Sequence, residues 1–179
     1  LSEEIGLCKS NGDISGAFGV AKFQNPGDLS LDSDSVHGAN GNFFIVDRWI
    51  TTNSYIKYAN VSASDVTIFG GVTIPAGEVA KIVSTEGYSG AVASFGDQIC
   101  YTQGANATGN LYPHNVICLN RNTGLTTLRV GKISASTVKA ATPHYQEEEG
   151  VLASSASLSQ PWGIAFDADG NLYISSHSA

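Results

Sequence analysis

The sequence predicts an all-β fold, and three observations carry that expectation. Gly, Asn, Asp, Ser and Thr interrupt the 179-residue chain every several residues, the spacing that short strands and tight turns require. No window sustains a 3.6-residue apolar period, so amphipathic helices are not expected. Two kinds of hairpin alternate along the chain, and a unit of four antiparallel strands recurring in this way is the signature of a β-propeller blade.

The elements follow in chain order. "EIGLCKSNGDISGAFG" (4 to 19) reads as a hairpin turning at Ser10, Asn11 and Gly12, and it supplies the outer half of a blade. "NPGDLSLDSDSVHGANGNFFIVD" (25 to 47) gives an inner pair of strands, and "SYIKYANVSASDVTIFGG" (54 to 71) gives an outer pair turning at Asn60 to Ser64. Together they form a blade over 25 to 71. "GAVASFGDQICYT" (90 to 102) and "HNVICLNRNTGLTTLRVG" (114 to 131), turning at Asn122, Thr123 and Gly124, form a second blade over 90 to 131. "QPWGIAFDADGNLYISS" (160 to 176) is a last inner hairpin, in which the Asp167 to Asn171 run joins two apolar strands. Small residues such as Ala91, Val92, Ala93, Gly163, Ile164 and Ala165 suit a crowded innermost strand. The larger ones at 43 to 46, 99 to 101 and 172 to 174 suit the space between blades.

Read this way, residues 1 to 179 form a single partial propeller. About three blades' worth of strands is too few to close a ring, which takes about four to eight. The split blade is therefore expected to be completed by another copy or by further sequence. In the first case Ile5, Leu7, Ile14 and Phe18 would share a sheet with Gly163, Ile164, Leu172 and Ile174. A head-to-tail contact of this kind closes into a ring or runs on as a filament.

The 160 to 176 segment, together with "GVLASSASLS" before it and "NVICLNRNTGLTTLRVG" further upstream, resembles NHL-repeat propellers. Blades of that family read Pro-x-Gly-Ile-Ala-x-Asp, then Gly-Asn-Leu-Tyr-Ile-Ala-Asp, then a hairpin with Thr-Gly at its turn. The likeness is looser at 25 to 47, where "DSDSVHGAN" lengthens the first turn. It is weak at 90 to 102, which lacks the Pro and has Gly96-Asp97 in place of Gly-Asn. The acid that follows the second strand is kept only at Asp47, since Thr102 and Ser176 stand at the other two places. The resemblance implies a ring of about six blades. Some propellers of that general type are metal-dependent lactonases or lyases with acidic, Asn or His ligands at the channel mouth, but no residue here matches those roles.

Composition narrows the partners. A net charge of −7 and a pI near 4.8 leave no basic field for nucleic acid or for an anionic membrane surface. No stretch approaches the roughly 18 apolar residues of a membrane span. The N-terminus is not a signal peptide, and with no Met anywhere the chain reads as a processed product or a segment of a longer one. The sequons Asn60-Val61-Ser62 and Asn106-Ala107-Thr108 fall at a hairpin tip and in a Gly-rich loop, so Asn60 and Asn106 are expected to carry glycans on a secreted, extracellular protein. Cys100 and Cys118 lie on neighbouring strands and either form a disulfide or stay as two buried thiols; the partner of Cys8 is left open.

Signatures of chemistry are sparse. The chain contains no G-x-S-x-G, H-E-x-x-H or P-loop, and no catalytic residue, metal site or cofactor is assigned. Asp28, Asp32 and Asp34 could gather round a hard cation but read better as a solvated, turn-forming face. "DADGN" places its Gly fourth where a calcium loop needs it sixth, so it reads as a turn. On the expected ligand face, Asp47, Arg48, Trp49, Tyr112 and His114 are the candidates. The leading function is an extracellular binding or self-assembly scaffold, and the alternative is a propeller enzyme of the lactonase or lyase type acting on a small molecule at the channel mouth.

Overall fold

The computed structural model describes residues 14–35, 37–48, 54–85, 87–104, 114–131, 150–156, 158 and 160–176. Among these the fold is all-β, with 13 strands and no α-helix. A first antiparallel sheet contains β1 (Gly16–Ala17), β2 (Pro26–Leu31), β3 (Phe43–Arg48), β4 (Ser54–Asn60) and β7 (Glu78–Ser84) in the order β1-β7-β4-β3-β2. A small hairpin of β5 (Val66–Ile68) and β6 (Val72–Ile74) is inserted between β4 and β7. The second sheet is a four-strand meander, β8 (Val92–Phe95), β9 (Gln98–Gln103), β10 (Asn115–Asn120) and β11 (Thr126–Val130). A last hairpin pairs β12 (Pro161–Phe166) with β13 (Leu172–Ser176).

The three units stack. One face of the first sheet, bearing Phe44, Val46, Ile56 and Tyr58, packs on Val92, Ile99 and Tyr101 of the second, with Val66, Ile68 and Ile74 of the inserted hairpin joining the same core. The other face of the second sheet, bearing Cys100, Val116 and Cys118, receives Ile164, Phe166, Leu172 and Ile174 of the last hairpin. Strands buried on both sides read as unbroken apolar runs, which is why "FFIV" and "ICY" show no alternation. The edge strands β2, β8 and β12 lie side by side, with β8 between the other two.

Cys100 and Cys118 stand directly opposite each other on β9 and β10, with Cα atoms 4.0 Å apart, and are joined by a disulfide. Of the two readings the sequence leaves open, the structure contains the bridge.

Two expectations need correction. The stretch 54 to 71 is not one hairpin: β4 pairs with β7, while Val66–Ile68 pairs with Val72–Ile74. The turn signal that decides this is Phe69-Gly70-Gly71, where all three residues have positive φ and reverse the chain between two copies of "VTI". The segment 4 to 19 is also placed differently wherever it is described. Gly16–Ala17 adds to β7 at the outer edge of the first sheet, Ile14 bridges to Lys22, and Phe18 packs with Ala21, Ile45, Ala59 and Val79. Phe18 is therefore used within the first sheet, while the Ile14 side chain is exposed and makes no contact there with residues 160 to 176. Ile5 and Leu7 lie outside the described residues.

Asn60 departs most clearly from the sequence reading. It is wholly buried, and its Nδ2 donates to the carbonyls of Ser64 (2.9 Å), Ile74 (2.9 Å) and Pro75 (3.0 Å). A glycan needs that nitrogen in solvent, so the folded chain has no acceptor at Asn60. Asn106 lies outside the described residues. Because Asn60→Ala would leave buried carbonyls unpaired, it is expected to cost about 2–3 kcal/mol. Urea unfolding checks this through a lowered midpoint at unchanged slope.

Candidate ligand face and the buried polar network

The expected ligand face begins at the end of β3. Asp47 is fully buried: its Oδ1 accepts from the backbone N–H groups of Gln24 and Asn25 (2.9 Å each), and its Oδ2 lies 2.8 Å from Lys57 Nζ. Lys57, also fully buried, donates on to Lys22 O at 2.7 Å and sits 4.6 Å from the centre of the Phe23 ring. This pair ties residues 22 to 25 to the middle of the first sheet. Asp47 is therefore not an exposed ligand group: its carboxylate is buried and engaged by two backbone N–H groups and the Lys57 ammonium.

Arg48 points the other way. Its guanidinium donates to Gly90 O (3.2 Å) and lies over the Trp162 ring, 4.7 Å from its centre. Two glycines make room for this. A Cβ at Gly27 would collide with the guanidinium, and one at Gly90 would collide with the Trp162 carbonyl. Arg48 and Trp162 thus bind the starts of β2, β8 and β12 together. Trp49 and Tyr112 lie outside the described residues.

His114 is on the same side of the second sheet as the last hairpin. Its Nδ1 accepts from the N–H of Gln160, at 3.0 Å, immediately before β12. Burial holds the imidazole below the ordinary histidine value, with the Leu158 carbonyl acting weakly in the opposite direction. The structure thus spreads the described candidates among three jobs: Asp47 anchors a loop, Arg48 packs on an aromatic ring, and His114 latches the last hairpin.

The acids of the 28 to 34 loop are committed as well. Asp28 Oδ2 accepts from Val92 N (2.9 Å), so it joins β2 to β8. Asp34 accepts from His37 N at 2.9 Å. Asp32 is buried, which overturns its reading as a solvated acid. Its Oδ2 accepts from Tyr58 Oη and from Arg121 Nη1, both at 2.8 Å, while Arg121 Nη2 pairs with Oδ1. Burial first, and then the Asp32 charge, push the Tyr58 hydroxyl far above its usual value, so it remains a donor. Among the described residues no three metal-ligating side chains gather.

"DADGN" closes on itself. Asp167 accepts from the N–H groups of Asp169 and Asn171 and from the Asn171 side chain. The Asn171 side-chain bond is the chief reason the Asp167 carboxyl sits below the ordinary range.

Sequence reasoning missed one surface altogether. Phe23, Pro26, Leu29, Phe43 and Ile45 line an open groove of about 480 Å³ on the outer face of the first sheet, beside β2. Its one acidic lining residue, Asp28, is already bonded to Val92. Small-molecule sites combine apolar walls with a few convergent polar groups. This groove offers only the walls, which suits an apolar protein surface.

No family model matches the sequence, and no curated protein matches it.

Two tests follow from the network. Arg121→Met leaves Asp32 charged and buried and is expected to destabilise by about 3–5 kcal/mol, whereas Arg121→Met with Asp32→Leu should lose much less. Chemical unfolding of both variants checks the difference. For His114, the unfolded chain takes up its proton first as pH falls through about 6.5, because the folded value is lower. Stability is therefore full above that pH and declines as pH falls toward the folded pKa. His114→Asn, which keeps an acceptor for Gln160, should lack this component as pH falls below about 6.5.

Proposed function

We propose that this chain is a secreted, non-catalytic scaffold of the propeller type, whose two-stranded last unit is completed by association with another copy. The observation that carries the reading is the side-by-side placement of β2, β8 and β12. Each is an edge strand of its unit, β8 lies against both of the others, and the second sheet continues outward from β8 as an antiparallel meander. Antiparallel sheets that meet through their innermost strands are the arrangement of propeller blades. Resemblance to NHL repeats at 160 to 176 supports the same reading.

Secretion is supported by the Cys100–Cys118 bridge, since such bonds persist in oxidising compartments. The scaffold role is supported by the engagement of Asp47, Asp32 and Asp28 within the fold, which turns the acids toward stability. It is also supported by the apolar groove, which suits a protein surface.

Sedimentation equilibrium over a wide concentration range tests the assembly. The expected result is a mass that rises with concentration, and a constant monomer mass would end the reading. A second measurement concerns the bridge. Cys100→Ala with Cys118→Ala opens a loop of 18 residues' separation and should cost about 3 kcal/mol, read as a lower midpoint in denaturant.

A further inference from the structure

The disulfide in the middle of the second sheet lies beneath the last hairpin. Cys100 is wholly buried and Cys118 is 2% exposed. With Val116 they form the face of β9 and β10 on which Ile164, Phe166, Leu172 and Ile174 of the hairpin pack, flanked by Leu158 and Val130. The opposite face of that sheet is closed by the first sheet. Exchange with an external thiol requires a thiolate to approach one of the two sulfurs, and a thiolate crossing an apolar layer loses its water with nothing to replace it. The strands offer no opening of their own, because β9 is paired to β8 and β10, and β10 to β9 and β11.

We propose that the last hairpin is a movable cover over the Cys100–Cys118 bond, and that thiols reach this bond only while the hairpin is undocked and both sheets remain folded. The bridge is then a redox switch whose rate is set by one two-stranded element. It does not depend on the assembly reading above. Few interactions hold the cover, and two of them lie at its start: Trp162 rests over the Arg48 guanidinium, and the Gln160 N–H donates to His114 Nδ1. Gln160 itself has a φ of 43°, in the left-handed region that a glutamine adopts at a cost, and undocking releases that cost. Apart from these, the hairpin buries one apolar face and leaves Ala165 and Tyr173 exposed on the other. An element packed in this way opens at lower free energy than the whole fold, so its departure is the cheaper route to the sulfurs.

Once the hairpin has left, a small dithiol is a sufficient reductant. Its thiolate attacks one cysteine sulfur, the sulfur–sulfur bond breaks, and the other cysteine leaves as a thiolate that takes up a proton. The second thiolate of the reagent then displaces the first cysteine, which is protonated in turn. Two cysteine thiols remain in the protein and a cyclic disulfide is released.

The test is reduction of the full-length chain by excess dithiothreitol under native conditions, followed by alkylation and intact mass. In the unaltered chain the rate is expected to rise in proportion to dithiothreitol and to depend only weakly on added urea, as opening of a small surface requires. The slowing relative to the urea-unfolded chain should match the opening equilibrium read by hydrogen exchange at the amides of β12 and β13, since a lone hairpin is only marginally stable. Trp162→Ala removes the stack on Arg48 and should speed reduction about fivefold. Asn60→Ala, which weakens the first sheet, should leave the rate unchanged; circular dichroism establishes that both variants are folded. A urea dependence equal to that of global unfolding, or rates that rise in both variants with lost overall stability, would show that the bond is reached only through the unfolded chain. An unaltered chain reduced as fast as the unfolded one, or a Trp162→Ala variant reduced no faster than the unaltered chain, would show that the hairpin is not the cover. Each of these results overturns the proposal.

Discussion

Arg121 is the residue on which the arrangement of the sheets depends. Its side chain forks onto the buried Asp32 carboxylate, which also holds the Tyr58 hydroxyl. Its main chain joins two more elements: the N–H donates to Asp97 O in the β8–β9 turn, and the carbonyl accepts from Phe69 N at the tip of the inserted hairpin. One turn residue of the second sheet thus fixes a loop and a strand of the first sheet, the insertion between β4 and β7, and a turn of its own sheet. Burying two charges is costly, and the pair returns that cost only with near-complete hydrogen bonding. Here the planar fork of arginine and the added tyrosine satisfy the carboxylate from three donors, which lysine could not match in geometry.

The turns depend on short polar side chains that bond to nearby backbone. Asn42 Oδ1 accepts from Val61 and Ser62, and Asn120 Oδ1 accepts from Asn122 and Thr123. Asn60 does the same through both ends of its amide, with Ser62 Oγ donating back to its Oδ1. The Asn-x-Ser pattern at 60 to 62 is therefore a turn device. Asn and Ser favour such local bonds wherever a chain reverses, and that is why a glycosylation pattern and a turn pattern can be spelled alike.

Much of the strand pairing was legible in the sequence. The hairpins at 26–48, 92–103, 115–130 and 161–176 combine apolar runs with Gly, Asn or Asp at the reversal, and both signals are local. Which face each strand presents was not legible. Phe44 and Ile99 occupy equivalent places in the repeated segments and face each other across the first interface, while Cys100 and Ile174, also equivalent, face each other across the second. A shift of one residue exchanges the two faces of a strand, and strands buried on both sides carry no alternation to mark it. The Asp32–Arg121 pair spans 89 residues and had no local signal at all. The candidate face fared worst, because Asp47 looks the same in sequence whether it meets solvent or a buried lysine.

The units are not held by equal numbers of contacts. The first sheet is fixed by residues 14 to 23 on one face, the second sheet on the other, and two buried ion pairs. The last hairpin has one buried face, the stack of Trp162 on Arg48, and the bond from Gln160 to His114. Its close approach depends on Gly90, which leaves room for the Trp162 carbonyl. Elements with few buried contacts open at lower free energy than those buried on both sides. Among the described residues β13 pairs with β12 alone, and Ala165 and Tyr173 on the outer face of the hairpin are exposed.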